Sequence, residues 1–204
     1  MRPLALGGTL LLAACAVTAS ADGKVEAVGA FAGAAPEAVK AAVEAAGQRV
    51  VLSDGVAFGD VWFRKGLPGL ADGAFVGIVA LARPASDFRG QPIPAGTYTM
   101  RYQTLPVDGN HMGCAPTSDF LLLVAAAEDS DPTAALAYLD FTKRSAKAAG
   151  THHPASFQLS DVSGQTAFPA VAKNAMGHEV FFVKVKGQSA EIPLGLVVVG
   201  KSDH

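Results

Sequence analysis

The residues best equipped for chemistry lie in one stretch, residues 108–119, which reads DGNHMGCAPTSD. It gathers an imidazole (His111), a thiol (Cys114), two carboxylates (Asp108, Asp119) and an amide (Asn110). A hairpin closes with about two to five linking residues. This connection is longer, and long loops carried on rigid strands are where binding groups are usually displayed. The same residues also suit an ordinary ordered loop, with Asp108 and Asn110 in Asx turns and Gly109 and Gly113 at positive φ. A second polar cluster is Gly150, Thr151, His152, His153 and Pro154. Neighbouring side chains on extended chain diverge, so at most one of His152 and His153 joins any single site. The other use for such a histidine is at a helix C-terminus.

Three chemistries are open to these groups. His111, Asp119 and one of His152 or His153 (His152 being the first choice) would make a two-His, one-carboxylate set suited to zinc or iron. The spacing is non-local and matches neither H-x-x-x-H nor H-E-x-x-H. Cys114 beside a histidine would be a nucleophile, provided the fold supplies the adjacent base. Asp108, Asn110, His111, Asp119, His152 and His153 would otherwise line a binding site, with Trp62 and Tyr102 offering aromatic surface to a small molecule, sugar or peptide. No G-x-S-x-G, P-loop or dinucleotide fingerprint is present.

The elements that must position these groups are mostly strands. Residues 49–52, a Ser53-Asp54-Gly55 turn and residues 56–64 form a hairpin pattern, with Val61 and Phe63 on one face and Asp60, Trp62 and Arg64 on the other. Residues 75–82 are a continuous apolar run, the pattern of a strand buried on both faces. Residues 97–103 alternate, placing Tyr98, Met100 and Tyr102 inward and Thr97, Thr99, Arg101 and Gln103 outward. Residues 120–124, 156–159, 179–186 and 192–199 are further strands, the last two joined at Gly187-Gln188-Ser189. Residues 36–46 read as a short helix. Asp131 and Pro132 read as the cap and first turn of a longer one that stops at Gly150, with Leu136 and Leu139 on its apolar face. The fold class is therefore mainly β: an antiparallel β-sandwich, jelly-roll-like or immunoglobulin-like, with one or two inserted helices. Its expected core contains Val61, Phe63, Ile78, Tyr98, Met100, Leu121, Leu123, Phe182 and Val198.

Composition narrows the function classes. The 204 residues are 50% hydrophobic and 17% charged, enough apolar material for one real core. The 16 basic residues are scattered among 18 acidic ones, so the concentrated positive surface that nucleic-acid binding needs is missing. The first residues read as a leader, with Arg2 as its charged start and residues 4–14 as its apolar run. That run is shorter than the about 20 residues a membrane span requires. Two processing outcomes are open. Ala19-Ser20-Ala21 is an A-x-A cleavage site before Asp22, and Leu12-Ala13-Ala14-Cys15 matches the bacterial lipobox, in which Cys15 is lipidated. The expected organisation is a signal peptide over residues 1–21, a tether or one weak strand followed by a short helix over residues 22–46, and one β-rich domain over residues 47–204. In an oxidising compartment Cys114 would then lack an intramolecular disulfide partner.

Phe88-Arg89-Gly90-Gln91, residues 93–102, residues 108–113, residues 119–123 and Gly150 to Pro154 together resemble a family of uncharacterised exported bacterial proteins. The resemblance runs from about Gly47 to Val199, implies an exported single domain, and carries over no catalytic residues. Since Ala16 follows Cys15, the resemblance to Gram-negative lipoproteins implies outer-membrane sorting. The expected function is thus a periplasmic or outer-membrane protein, tethered by lipid if Cys15 is modified, acting as a non-enzymatic ligand-binding or accessory module. The alternative is a metal-dependent hydrolase or oxygenase-like enzyme built on His111, Asp119 and His152 or His153. Mass spectrometry of the mature N-terminus separates the processing routes: a diacylglyceryl Cys15 is expected for the tether, Asp22 as first residue for the soluble form, and a retained Met1 refutes export.

Overall fold

The computed structural model describes residues 22–105 and 117–200. Cys15, Asp108, Asn110, His111, Cys114 and His204 lie outside the described residues. The chain makes strands β1 (Lys24–Val28), β2 (Gly47–Val51), β3 (Ala57–Phe63), β4 (Phe75–Leu81), β5 (Ala85–Ser86), β6 (Pro92–Ile93), β7 (Gly96–Thr104) and β8 (Asp119–Ala125). Beyond these come β9 (Ser156–Gln158), β10 (Ala170–Lys173), β11 (Glu179–Lys186) and β12 (Glu191–Val199). Helix α1 is Glu37–Ala42 and helix α2 is Tyr138–Ala149. No helix among the described residues is long and apolar enough to cross a membrane.

The fold is the antiparallel β-sandwich that the strand pattern predicts. One sheet has seven strands in the order β1-β2-β3-β4-β7-β8-β9, the other has three in the order β10-β11-β12, and every strand pair is antiparallel. Sequential strands neighbour one another throughout, with the small β5–β6 hairpin looping out between β4 and β7. The period-two pattern explains the core. Val61, Phe63, Val79, Tyr98, Met100, Leu121 and Leu123 project from the large sheet onto Phe181, Val183, Leu194, Leu196 and Val198 of the small one. All nine expected core residues are buried. Two of them belong elsewhere than between the sheets: Ile78 packs on the large sheet's other face, and Phe182 on the far face of the small sheet.

Both seams of the sandwich are stitched. Gly23 bridges Val171 where β1 approaches β10, and Leu159 bridges Leu196 where β9 approaches β12. Ser53 adds a clamp, donating from its backbone N–H (2.9 Å) and hydroxyl (2.6 Å) to the Glu179 carboxylate. Edge strands that would otherwise offer open hydrogen-bonding rows are thereby covered.

Several expectations change on the outer face of the large sheet. Of the two alternatives for the segment before α1, the weak strand forms: Lys24–Val28 is a paired edge strand, so the folded body begins well before Gly47. Helix α1 stops at Ala42 because Val43 turns extended and bridges Arg64, with Glu44 N–H bonding Phe63 O. Val39 and Val43 still share one buried face, against Trp62 and Ile78. Trp62 is packing rather than groove: its Nε1 donates to Gly29 O at 2.8 Å and Phe31 meets it edge-on. It also stands on the opposite face from Tyr102, so the two line no common surface. The Ala170–Lys173 strand had no strong pattern to announce it.

The largest departure is at Arg101, expected to face solvent and instead fully buried. Its Nε and Nη2 donate to both Asp129 oxygens, at 2.8 and 2.7 Å. Nη1 donates to Gly73 O and Ala134 O, and Nη2 also to Asp131 O, each within 2.7 Å. These bonds take the Asp131 and Ala134 carbonyls away from any helical ladder. Asp131 does accept from Thr133 and Ala134 N–H, as an N-cap would, but the helix waits until Tyr138. Of the two leucines expected on the helix's apolar face, Leu136 precedes the helix and packs partly buried against the Leu122, Val124 and Phe141 cluster, whereas Leu139 is 69% exposed and Phe141, Ser145 and Ala149 face the sheet. Gly150 ends the helix in a left-handed conformation, with Thr151 N–H bonding Ala146 O. Asp129→Ala should lower stability by about 3–5 kcal/mol in urea unfolding, because it strands a buried guanidinium.

Candidate functional site

The outer face of β7, β8 and β9 carries the site. Antiparallel register aligns Gln103, Phe120 and Gln158 in one row across the three strands. Phe120, Leu122 and Ser156 form the floor of a cleft of about 190 Å³, with Gln103 set into it. Tyr138 and Thr142 of α2 make one wall, and Phe88 and Arg89 the other. His153 and Pro154 close one end, and Thr104 and Leu105 also line it.

Local chemistry holds the walls in place. The tip between β5 and β6 is a turn organised by Asp87, whose Oδ1 accepts from the N–H groups of Arg89 (2.9 Å) and Gln91 (2.8 Å). Gly90 adopts φ of +76° there, a conformation that favours glycine. The Gln91 amide then donates to His153 O and Pro154 O, both at 3.3 Å, fastening the tip to the turn after α2. Phe88 packs on Phe120 with ring centroids 5.1 Å apart, and the Arg89 guanidinium lies over Phe88 at 5.3 Å. The opposite wall is anchored by Phe141 against Leu122 and Val124, and by the Ser145 hydroxyl donating to Ala155 O at 2.9 Å.

Gln103 is the telling residue. It is 7% exposed, its Nε2 donates to Thr104 O at 3.1 Å, and its Oε1 has no partner among the described residues. A buried acceptor without a donor carries an energetic penalty of about 1–3 kcal/mol. Here the penalty is incurred beside a cleft with an aromatic floor. Sequence reasoning placed Gln103 on the solvent side and missed it; only the burial of that whole face makes its amide conspicuous.

Of the residues expected to form a site, Asp108, Asn110 and His111 lie outside the described residues, and the sheet separates Asp119 from His153. His153 reaches the cleft, and its neighbour His152 is solvent-exposed. Asp119 alternates onto the other face, where the Tyr102 hydroxyl donates to its Oδ1. Burial, then the Asp119 carboxylate, pushes the Tyr102 hydroxyl well above its ordinary range. Asp119 and His153 therefore do not share a point in space at which an ion would touch both. Among the described residues, no group of three His, Cys, Asp or Glu side chains is placed to hold a metal.

No protein-family model, curated protein or solved structure matches the chain.

The buried carboxyl of Asp87 gives a pH test of the cleft's wall. Burial raises its pKa, against the opposing hydrogen bonds from Gln91 and Arg89 and the charges of Arg89 and His153. A raised folded value means that the folded turn holds the proton more tightly than the unfolded chain does. That contribution is complete below the unfolded pKa of about 3.9 and is lost as pH rises through the folded value. Asp87→Asn keeps an acceptor oxygen and cannot titrate. Thermal melts across the acid range should show wild type losing stability relative to Asp87→Asn as pH rises above about 4; a flat difference would refute the assignment.

Proposed function

We propose that this chain is an exported, non-enzymatic binding module of the cell envelope that takes a small ligand in the cleft between β7–β9, α2 and the β5–β6 tip. The leader over residues 1–21, with its A-x-A site and lipobox at Cys15, supports the export half of the reading. The unpartnered Oε1 of Gln103 carries the binding half: a ligand N–H or O–H would supply the donor that this buried acceptor lacks. Small-molecule sites pair a largely apolar lining with few well-placed polar groups. This cleft has that character, with Phe88, Phe120, Leu122 and Pro154 for surface and Gln103 for direction.

An unsatisfied buried amide costs stability, and a ligand that completes its hydrogen bonding would offset that cost. Gln103→Leu removes the unpaired acceptor and one hydrogen bond to Thr104 while nearly conserving volume. The variant should be more stable by about 1 kcal/mol in thermal or urea unfolding. It should also lose the single-ring fragments that ligand-observed NMR detects on wild type. Fragment binding that is indifferent to Gln103→Leu, or a variant that is less stable than wild type, would overturn the reading.

A further inference from the structure

The charges at the rim narrow the ligand. Among the described lining residues the ionisable side chains are Arg89, His153 and Tyr138, and none is a carboxylate. The Arg89 side chain is 39% exposed and its guanidinium makes no hydrogen bond among the described residues. Its nearest carboxylate oxygen, Asp87 Oδ2, is 3.8 Å from Nε, and Asp87 is itself buried and turned to the N–H groups of its own turn. The guanidinium lies 5.3 Å from the Phe88 ring centroid, at the edge of the cleft. A planar, half-solvated guanidinium with free N–H groups is a fork for a carboxylate.

Size sets a second limit. Pockets for drug-sized molecules run from about 300 to 1,000 Å³, and this one has about 190 Å³. It takes one ring. Phe120 and Phe88 offer ring surface on the floor and wall. The buried end supplies an acceptor without a donor among the described residues, and the open end a guanidinium whose ion-pair partner, Asp87, stands 3.8 Å away and leaves it without a hydrogen-bonded anion.

Resting on the binding reading above, we propose that the cleft binds a single-ring aromatic carboxylate whose ring hydroxyl or N–H donates to Gln103 Oε1 and whose carboxylate pairs with Arg89. The assignment differs from a generic apolar pocket in needing both ends at once.

Calorimetric titration of the purified protein with three ring probes tests it. para-Hydroxybenzoate carries both groups, benzoate lacks the donor, and para-hydroxybenzyl alcohol lacks the carboxylate. para-Hydroxybenzoate should bind at least about tenfold more tightly than either truncated probe, the worth of one charge-assisted or buried hydrogen bond. Arg89→Gln should abolish its advantage over the alcohol, and Gln103→Leu its advantage over benzoate. Arg89 is partly exposed, and undiminished binding of the alcohol by Arg89→Gln shows that the cleft itself is intact. If the alcohol binds wild type as well as the acid does, and Arg89→Gln changes nothing, the carboxylate assignment falls while the cleft remains a binding site. If none of the three binds and no single-ring fragment is sensitive to Gln103→Leu, both readings fall.

Discussion

The architecture around the cleft hangs on the buried pair between Arg101 and Asp129. Taking two charges out of water is costly, and mutual attraction offsets that cost only when the remaining donors and acceptors are also satisfied. Here the guanidinium places all its N–H groups: two on the Asp129 carboxylate and three on the carbonyls of Gly73, Asp131 and Ala134. The Thr99 hydroxyl donates to Asp129 as well, and the Phe75 ring lies beneath the cation. One side chain in the middle of β7 thus ties together the loop before β4 and the whole connection from β8 to α2.

That tie decides where α2 begins, and therefore what the cleft is. With the Asp131 and Ala134 carbonyls held by Arg101, the chain reaches Tyr138 before it can coil, and the helix then presents Tyr138 and Thr142 toward Phe120. Gly73 shows how tight the junction is. It sits at φ of +78° with its N–H on Tyr102 O, and a Cβ there would collide with the Leu136 backbone. The wall opposite is held by softer means, an Asx-type turn at Asp87 and a glutamine bridging to residues 153 and 154. One side of the cleft is locked by a fully buried ion pair, and the other by the hydrogen bonds to the Asp87 carboxyl and the Gln91 bridge.

Much of this was legible in the chain and some was not, for physical reasons. Alternation in residues 97–103 and the run at residues 75–82 report burial on one or both faces, and these strands fold as their patterns require. Alternation cannot say what covers the second face. Thr99, Arg101 and Gln103 look like solvent-facing residues because their types are polar, yet a later segment lies over them. The Asp131-Pro132 helix start failed similarly: the capping chemistry is real, and Asp131 does accept the N–H groups expected of a cap, but a distant arginine competes for the carbonyls. A salt bridge between positions 101 and 129 leaves no periodic trace in either segment. The polar surroundings of His153 are legible in the sequence and it lines the cleft, whereas placing Asp119 beside it requires knowing which way β8 is pleated. One residue of register separates Asp119 from Phe120, and it puts them on opposite faces.

The location of the cleft follows from where the sandwich has no other freedom. Its interior is filled by the two apolar faces, with Leu121, Leu123, Phe157 and Phe181 essentially inaccessible. Its seams are bridged at Gly23 with Val171 and at Leu159 with Leu196. Over β2 to β4, α1 and Phe31 cover the outer face as a second small core around Trp62. Over β7 to β9 the cover is incomplete, because α2 reaches only as far as its Phe141, Ser145 and Ala149 stripe allows. The strip left beside it holds Phe120 between two glutamines, Gln103 and Gln158, whose Oε1 atoms both lack partners among the described residues. A sheet face selected only for packing would fill this row with aliphatic side chains. Two buried amides flanking one aromatic ring instead leave hydrogen-bonding capacity unspent at the place where the cover stops.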